Sequence, residues 1–232
     1  MQDTDATHAR TDPTTDVIFR QLTLEVGVGR NRRILIDGVD EHFRSGEVTC
    51  IIGESGVGKS TLLRAIAGLV APSSGQILVG GRDTGAFAAK DRLALRRYTV
   101  TVVEQDYNLL ETLTAHENIL LLLELAGLHD RSSVADSWME RLGLQHVRDE
   151  FPVTLSGGEQ QRVAIARSLA APHPVVLADE PTGALDSENT DRVTRLLREF
   201  AGAGKCCIVV THDPKVADGA DRVLMMRDGG LG

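Results

Sequence analysis

Three cysteines are all that this 232-residue chain contains, and none is spaced for a metal. Cys50, Cys206 and Cys207 lie in apolar runs that read as buried strands, with no CxxC pair and no nearby pair of histidines. Reduced core cysteines of a cytosolic protein are therefore expected. Long hydrophobic runs are missing too. No segment approaches the ~18–20 apolar residues of a membrane span. Residues 119–123 form the longest candidate and run into Glu124, so any membrane association has to come through a partner. Basic charge is in deficit, 25 Lys and Arg against 33 Asp and Glu, for a net charge of −8 and a pI near 5.4. Nucleic acid is not the expected partner, because phosphate backbones are bound by clustered cations. Residues 1–16 lack the basic start and apolar middle of a signal peptide and are rich in Thr and Asp. A disordered N-terminal extension is expected there, followed by one folded unit over 17–232.

What is present is an ordinary globular mixture, 42% hydrophobic and 25% charged, in a chain long enough for a domain that carries an insertion. Residues 17–28 and 34–43 partly alternate around Gly27, Gly29 and Asn31 and read as a hairpin. A strand at 48–52 runs into a glycine-rich loop and a helix over 60–67 closed by Gly68. A turn at 72–75, a strand at 76–79 and Gly80-Gly81 complete an antiparallel layer. Helical patterns fill most of 106–170, at 114–126, 133–142 and 159–170, and read as an inserted subdomain. Strands return at 175–178, 206–210 and 223–226, with a helix over 189–200 between the first two. The expected class is α/β: a mostly parallel sheet over 17–105 and 171–232, an N-terminal antiparallel β layer, and a helical insertion.

Gly53-Glu54-Ser55-Gly56-Val57-Gly58-Lys59-Ser60 matches the phosphate-loop pattern. Its glycines let backbone N–H groups turn inward around an anion, and the helix that follows offers its positive end. Lys59 reaches the terminal phosphates, and the Ser60 hydroxyl can bind Mg²⁺. The strand at 175–178 delivers Asp179 and Glu180 at its end. Beside a phosphate loop, Asp179 suits the Mg²⁺ shell and Glu180 suits the polarising of an attacking water. A third run, Leu155-Ser156-Gly157-Gly158-Glu159-Gln160-Gln161-Arg162, places Ser and two glycines at a helix start, a second anion-binding surface.

That third run, lying between the other two, resembles the signature of ATP-binding-cassette ATPases. Gln105, after the strand at 100–103, is similar to the family's glutamine that contacts Mg²⁺ and water and joins the core to the insertion. Ala184-Leu185-Asp186 resembles the loop that crosses the dimer interface, and Thr211-His212-Asp213 the switch histidine that meets the terminal phosphate. The resemblance covers the chain from about Val17 onward and implies a phosphate-loop NTPase fold, ATP and Mg²⁺. It implies catalytic roles for Glu180, His212, Gln105 and Lys59, and metal contacts for Ser60, Gln105 and Asp179. The implied nucleotide contacts run from Gly53 through Glu54, Ser55, Gly56, Val57, Gly58, Lys59 and Ser60 to Thr61. A second subunit adds Ser156, Gly157, Gly158, Glu159 and Asp186.

Residues 177–187 and the ending Met226-Arg227-Asp228-Gly229 are similar to the lipoprotein-releasing and macrolide-exporter subunits of the family. The implied protein is a cytoplasmic ATPase, peripheral on the membrane through a separate permease and paired with a second ATPase subunit. Because every phosphate-contacting position is intact, a homodimer is expected over a heterodimer. The permease surface is expected near Gln105, where Tyr107, Leu109 and Leu110 precede the apolar helix. One departure stands out. The family's adenine-stacking aromatic falls at Val26, which cannot stack, so weaker base recognition is expected unless Phe19 or another ring substitutes. Two other readings are a cassette ATPase that regulates cell-wall hydrolases through a permease-like protein, and a nucleic-acid-associated one, whose tandem cassettes, coiled coils or zinc modules are not found.

Overall fold

The computed structural model describes residues 15–27 and 32–232. Its first strand shows how pattern becomes structure. In β1 (Val17–Val26), Val17 and Phe19 face inward, and so do Leu22 and Leu24. The extra residue between the two pairs makes a bulge, with Gln21 at φ 46° and its N–H donated to Asp40 Oδ1 at 2.8 Å. β2 (Arg33–Phe43) returns antiparallel, with Val17 opposite Phe43 and Val26 opposite Arg33, so the expected hairpin is present. Val28, Gly29 and Asn31 lie outside the described residues, as do residues 1–14 of the expected extension. Its last two residues are tied down: Thr15 is buried, and Asp16 accepts from Ser45 N–H at 2.8 Å and pairs with His42 Nε2 at 2.6 Å.

β3 (Val48–Ile52) leads through the glycine loop to α1 (Lys59–Ile66). β4 (Ser74–Val79) then pairs antiparallel with β1, and β5 (Arg82–Asp83) closes a four-stranded layer ordered β2-β1-β4-β5. α2 (Ala89–Tyr98) precedes β6 (Val100–Val103). The insertion follows as α3 (Ala115–Leu125), α4 (Arg131–Arg141) and α5 (Gly157–Ala170). The chain re-enters the main sheet as β7 (Val175–Asp179), α6 (Ser187–Gly202), β8 (Cys206–Val210), α7 (Pro214–Asp218), β9 (Arg222–Arg227) and β10 (Gly230–Leu231). That sheet is ordered β10-β9-β3-β8-β7-β6 and is parallel except for β10.

β7 and β8 are buried along their whole length because both faces of the sheet are covered. Val175, Leu177 and Ile208 face a core made with α1 and the antiparallel layer, including Phe19, Phe43, Leu62 and Ile66. Val176, Ala178 and Val209 face a second core with Ile119, Leu123, Trp138 and Leu197. Insertion and sheet share this second core, so residue 170 is a boundary in sequence and not in packing. Cys50, Cys206 and Cys207 are free and buried. Burial pushes the Cys50 thiol up to about 11 and the Cys207 thiol up to about 12, which leaves both inert at neutral pH.

Candidate active site

β3 stops at Ile52, and the next six residues turn back over the start of α1. Only glycine suits its two ends. At Gly53 a Cβ would stand 2.5 Å from the Met226 carbonyl oxygen, and at Gly58, with φ 117°, it would stand 2.8 Å from a Leu35 methyl group. α1 has no side-chain cap and no acidic residue in its first turn, so its N–H groups remain for an anion. Lys59 Nζ, on a side chain with 9% exposure for the residue, donates to the carbonyls of Gly53 at 2.8 Å and Glu54 at 3.0 Å. The ammonium thus arches over the loop it belongs to.

The end of β7 faces this loop. Asp179 is buried, and its Oδ1 has no hydrogen-bond partner. Burial raises its pKa above the ordinary carboxyl value, against the opposing pull of the Ser60 hydroxyl. An orphaned carboxylate oxygen beside a hydroxyl fits a small oxygen-seeking cation such as Mg²⁺. Glu180 sits in the left-handed region, at φ 48°. A non-glycine residue there costs on the order of 1–3 kcal/mol and persists only when neighbours fix it. They do so here. Its N–H donates to Val210 O at 2.8 Å, and its carbonyl accepts from Gln161 Nε2 at 2.8 Å. Its carboxylate accepts from Thr211 Oγ1 at 3.0 Å and pairs with His212 Nδ1 at 2.9 Å.

A cavity of about 540 Å³ gathers these groups: Lys59, Ser60 and Thr61 with the phosphate loop, and Gln105, Asp179, Glu180 and His212 opposite. Of the expected nucleotide contacts on the loop, Glu54 and Val57 do not line it. They face a larger opening on the other side of the loop, which shares Gly53, Ser55 and His212 with the first. Val26 lines neither and is half-buried against the first core. Phe19 is not the substitute ring: it is 1% exposed and packs edge-on against Phe43 at 5.1 Å. No Phe, Tyr or Trp lines either opening.

Ser156, Gly157, Gly158, Glu159 and Asp186 also stand outside the cavity. Ser156 caps α5 and forms a reciprocal box with Glu159. The serine hydroxyl donates to Glu159 Oε2 at 2.6 Å, and His146 Nε2 meets Oε1 at 2.9 Å. Gly158 lies so close to the following loop that a Cβ would be 3.1 Å from Ala184 O, and one at Gly157 would be 3.5 Å from the Tyr107 hydroxyl. Asp186 caps α6 by accepting from Asn189 N–H at 2.8 Å.

Sequence reasoning assigned no role to Thr182, Thr211, Asp213, Gln161 or Arg167. Thr182 Oγ1 donates to Asp213 Oδ2 and Asp213 N–H to Thr211 Oγ1, each at 3.0 Å, a chain that ends at Glu180. Arg167 forks onto the carbonyls of Tyr107, at 2.7 Å, and Asn108, at 2.6 Å, two successive left-handed residues after Gln105. Thr182, Thr211, Asp213 and Gln161 stand inside the motifs quoted above, which was the one available signal.

A strand, glycine loop and helix closing on a lysine, opposite a strand that ends in two carboxylates, define a phosphate-loop nucleotide hydrolase. The ABC transporter family model matches residues 36–183. The chain belongs to this family and is an ATP-binding subunit with ATPase activity. It is 43% identical over 206 residues to an uncharacterized ABC transporter ATP-binding protein of Mycobacterium tuberculosis, covering 88% of this chain and 83% of that one. To the macrolide export ATP-binding/permease protein MacB of Nitrosomonas europaea it is 44% identical over 197 residues, 84% of this chain but 30% of that protein. The post-hydrolysis dimer of the ATP-binding cassette MJ0796 bound to ADP and Pi superposes with a TM-score of 0.88 at 34% identity, covering 93% and 97% of the two chains. These relatives favour a transporter subunit over the hydrolase-regulator reading.

Proposed function

We propose that this chain pairs with a second copy of itself to hold ATP at sites shared head to tail, and that the pair drives a separate membrane permease from its cytoplasmic face. One observation carries the reading. The phosphate cavity has its polar groups complete within one chain, whereas the signature loop lies outside it and caps itself. A second copy can bring Ser156, Gly157 and Gly158 to the nucleotide held by the first, with Asp186 at the crossing loop.

In such a site Lys59 exchanges its carbonyl partners for the terminal phosphates, stronger acceptors for an ammonium. Ser60, Gln105 and Asp179 are the residues to hold Mg²⁺, which when bound neutralises phosphate charge. Glu180, held between Thr211 and His212, orients the attacking water. His212 is fixed through Nδ1, so Nε2 is the atom that reaches the terminal phosphate. Phosphoryl transfer asks mainly for this positioning and charge neutralisation. Closure around ATP and reopening after hydrolysis form a two-state switch. The exposed Tyr98, Leu110 and Leu125, beside the loop after Gln105 and the end of α3, are the surface offered to the permease. The MacB relatives, named as exporters, support outward transport.

The test is light scattering of purified Glu180→Gln with and without ATP, beside wild-type hydrolysis. A dimer that forms only with ATP, with turnover reduced at least ~100-fold, is the expected result. A persistent monomer at saturating ATP beside an active wild type would sink self-pairing.

A further inference from the structure

α5 carries the signature loop at its start, and the side chain of its fifth residue reaches back to the end of β7. Gln161 is 2% exposed and has one amide on two targets. Its Nε2 donates to the Glu180 carbonyl at 2.8 Å, and its Oε1 accepts from Ala184 N–H at 2.8 Å. The amide orientation follows from these partners, since a flip would set donor against donor and acceptor against acceptor. The carbonyl it holds belongs to the residue in the left-handed conformation. The Glu180 side chain is fixed by Thr211 and His212. Its outgoing peptide is fixed by Gln161 and, more loosely, by Gly183 N–H at 3.3 Å. Without Gln161 the carbonyl of this left-handed glutamate keeps only the looser Gly183 bond, the residue can relax, and its carboxylate moves with it.

We propose that Gln161 is a positioning residue for hydrolysis. It sets the peptide after Glu180, and so the carboxylate on the attacking water, and it ties that peptide to the Ala184 loop and to the helix whose first turn serves the opposite site. This rests on the reading of Glu180 given above. A residue acting this way alters turnover and leaves nucleotide capture alone, because neither of its partners lies in the phosphate loop.

The experiment compares wild type, Gln161→Met, Gln161→Glu and Glu180→Gln as purified full chains. Turnover is measured against ATP concentration at a temperature where thermal unfolding shows every variant folded. Gln161→Met removes both bonds at similar volume. Gln161→Glu keeps an acceptor for Ala184 but sets a carboxylate oxygen against the Glu180 carbonyl. Both are expected to lower kcat ~10- to 100-fold, as a displaced catalytic group does, with KM within about threefold of wild type. ATP-dependent dimerisation of the Gln161→Met, Glu180→Gln double variant should match that of Glu180→Gln alone. Wild-type kcat in either Gln161 variant overturns the inference, and so does a loss that appears as raised KM. Should Glu180→Gln itself turn over normally, the reading of Glu180 falls and this inference with it, an outcome visible in a different sample.

Discussion

Two helices of this fold open at glycine-rich loops, and they differ in what their first turns already hold. α1 begins at Gly58 with no side-chain cap and no acid nearby, and a lysine folds over its loop. α5 begins at Ser156 with a complete capping box, and Glu159 occupies the turn where an anion would bind. A free helix N-terminus attracts phosphate, while one satisfied by its own carboxylate has part of that attraction already spent. The first loop is thus a receptor in the isolated chain. The second is closed on itself, and in the proposed pairing a nucleotide presented by another chain would compete with Glu159 for the Ser156 hydroxyl.

The most direct way to break this comparison is to damage each loop in turn. Lys59→Met should weaken ATP binding by the single chain at least ~100-fold, because a charge-assisted contact to the terminal phosphates is lost. Ser156→Ala should leave that affinity within about twofold and lower turnover ~10- to 100-fold. Nucleotide titration at chain concentrations too low for pairing separates the two. Equal losses of affinity would mean that both loops serve one nucleotide within one chain.

The far half of α5 extends the contrast, because it is anchored to another loop where its start is capped by its own residues. Arg167 donates to the carbonyls of Tyr107 and Asn108 and holds the loop after Gln105 in two left-handed steps. Arg167→Ala should cost ~2–3 kcal/mol of stability, the range for charged hydrogen bonds that leave acceptors orphaned. Arg167→Lys should recover less than half of this, since one ammonium cannot reproduce the fork. Urea denaturation midpoints measure both.

The receptor loop is complete for phosphate and bare for base. Val26→Tyr, at the position where the family's ring is expected, should raise ATP affinity roughly fivefold or more, from stacking worth ~1–3 kcal/mol. Nucleotide titrations with ATP and GTP read the gain, and no gain would mean that this position does not face the base.

The sequence carried the α/β class, the strands Val48–Ile52, Val100–Val103 and Cys206–Val210, and every residue that lines the phosphate cavity. These are places where a short motif is also a local structure. Less visible was α2, whose Lys90, Asp91, Arg92, Arg96 and Arg97 surround one buried leucine, Leu95, too little apolar signal to mark a helix. The starts of α5 and α6 fell two residues before the expected ones, since Ser156 and Asp186 cap them and the apolar pattern begins later. Gln161, Arg167 and Thr182 were out of reach for another reason. Each acts on a carbonyl, a backbone N–H or a side chain at least 19 residues away in sequence, and such contacts exist only once the two elements have packed.

The smallest effect tests why the signature loop is closed. The Ser156 hydroxyl and N–H, with His146, hold the Glu159 carboxyl at about 2, below its ordinary 4.5. A depressed carboxyl pKa stabilises the fold above the ordinary value, and that contribution fades as pH falls from about 4.5 toward 2. Wild type should therefore melt above Glu159→Gln near neutral pH, and the gap should narrow across that acid window in thermal melts. At neutral pH the same substitution removes a negative charge from the helix end and loosens the Ser156 hydroxyl. In the Glu180→Gln background the ATP needed for half-maximal dimerisation should then drop ~2- to 3-fold, within reach of a helix-terminus charge effect. A rise would instead make the carboxylate a contributor to nucleotide capture, and the contrast between the two loops would be one of geometry alone.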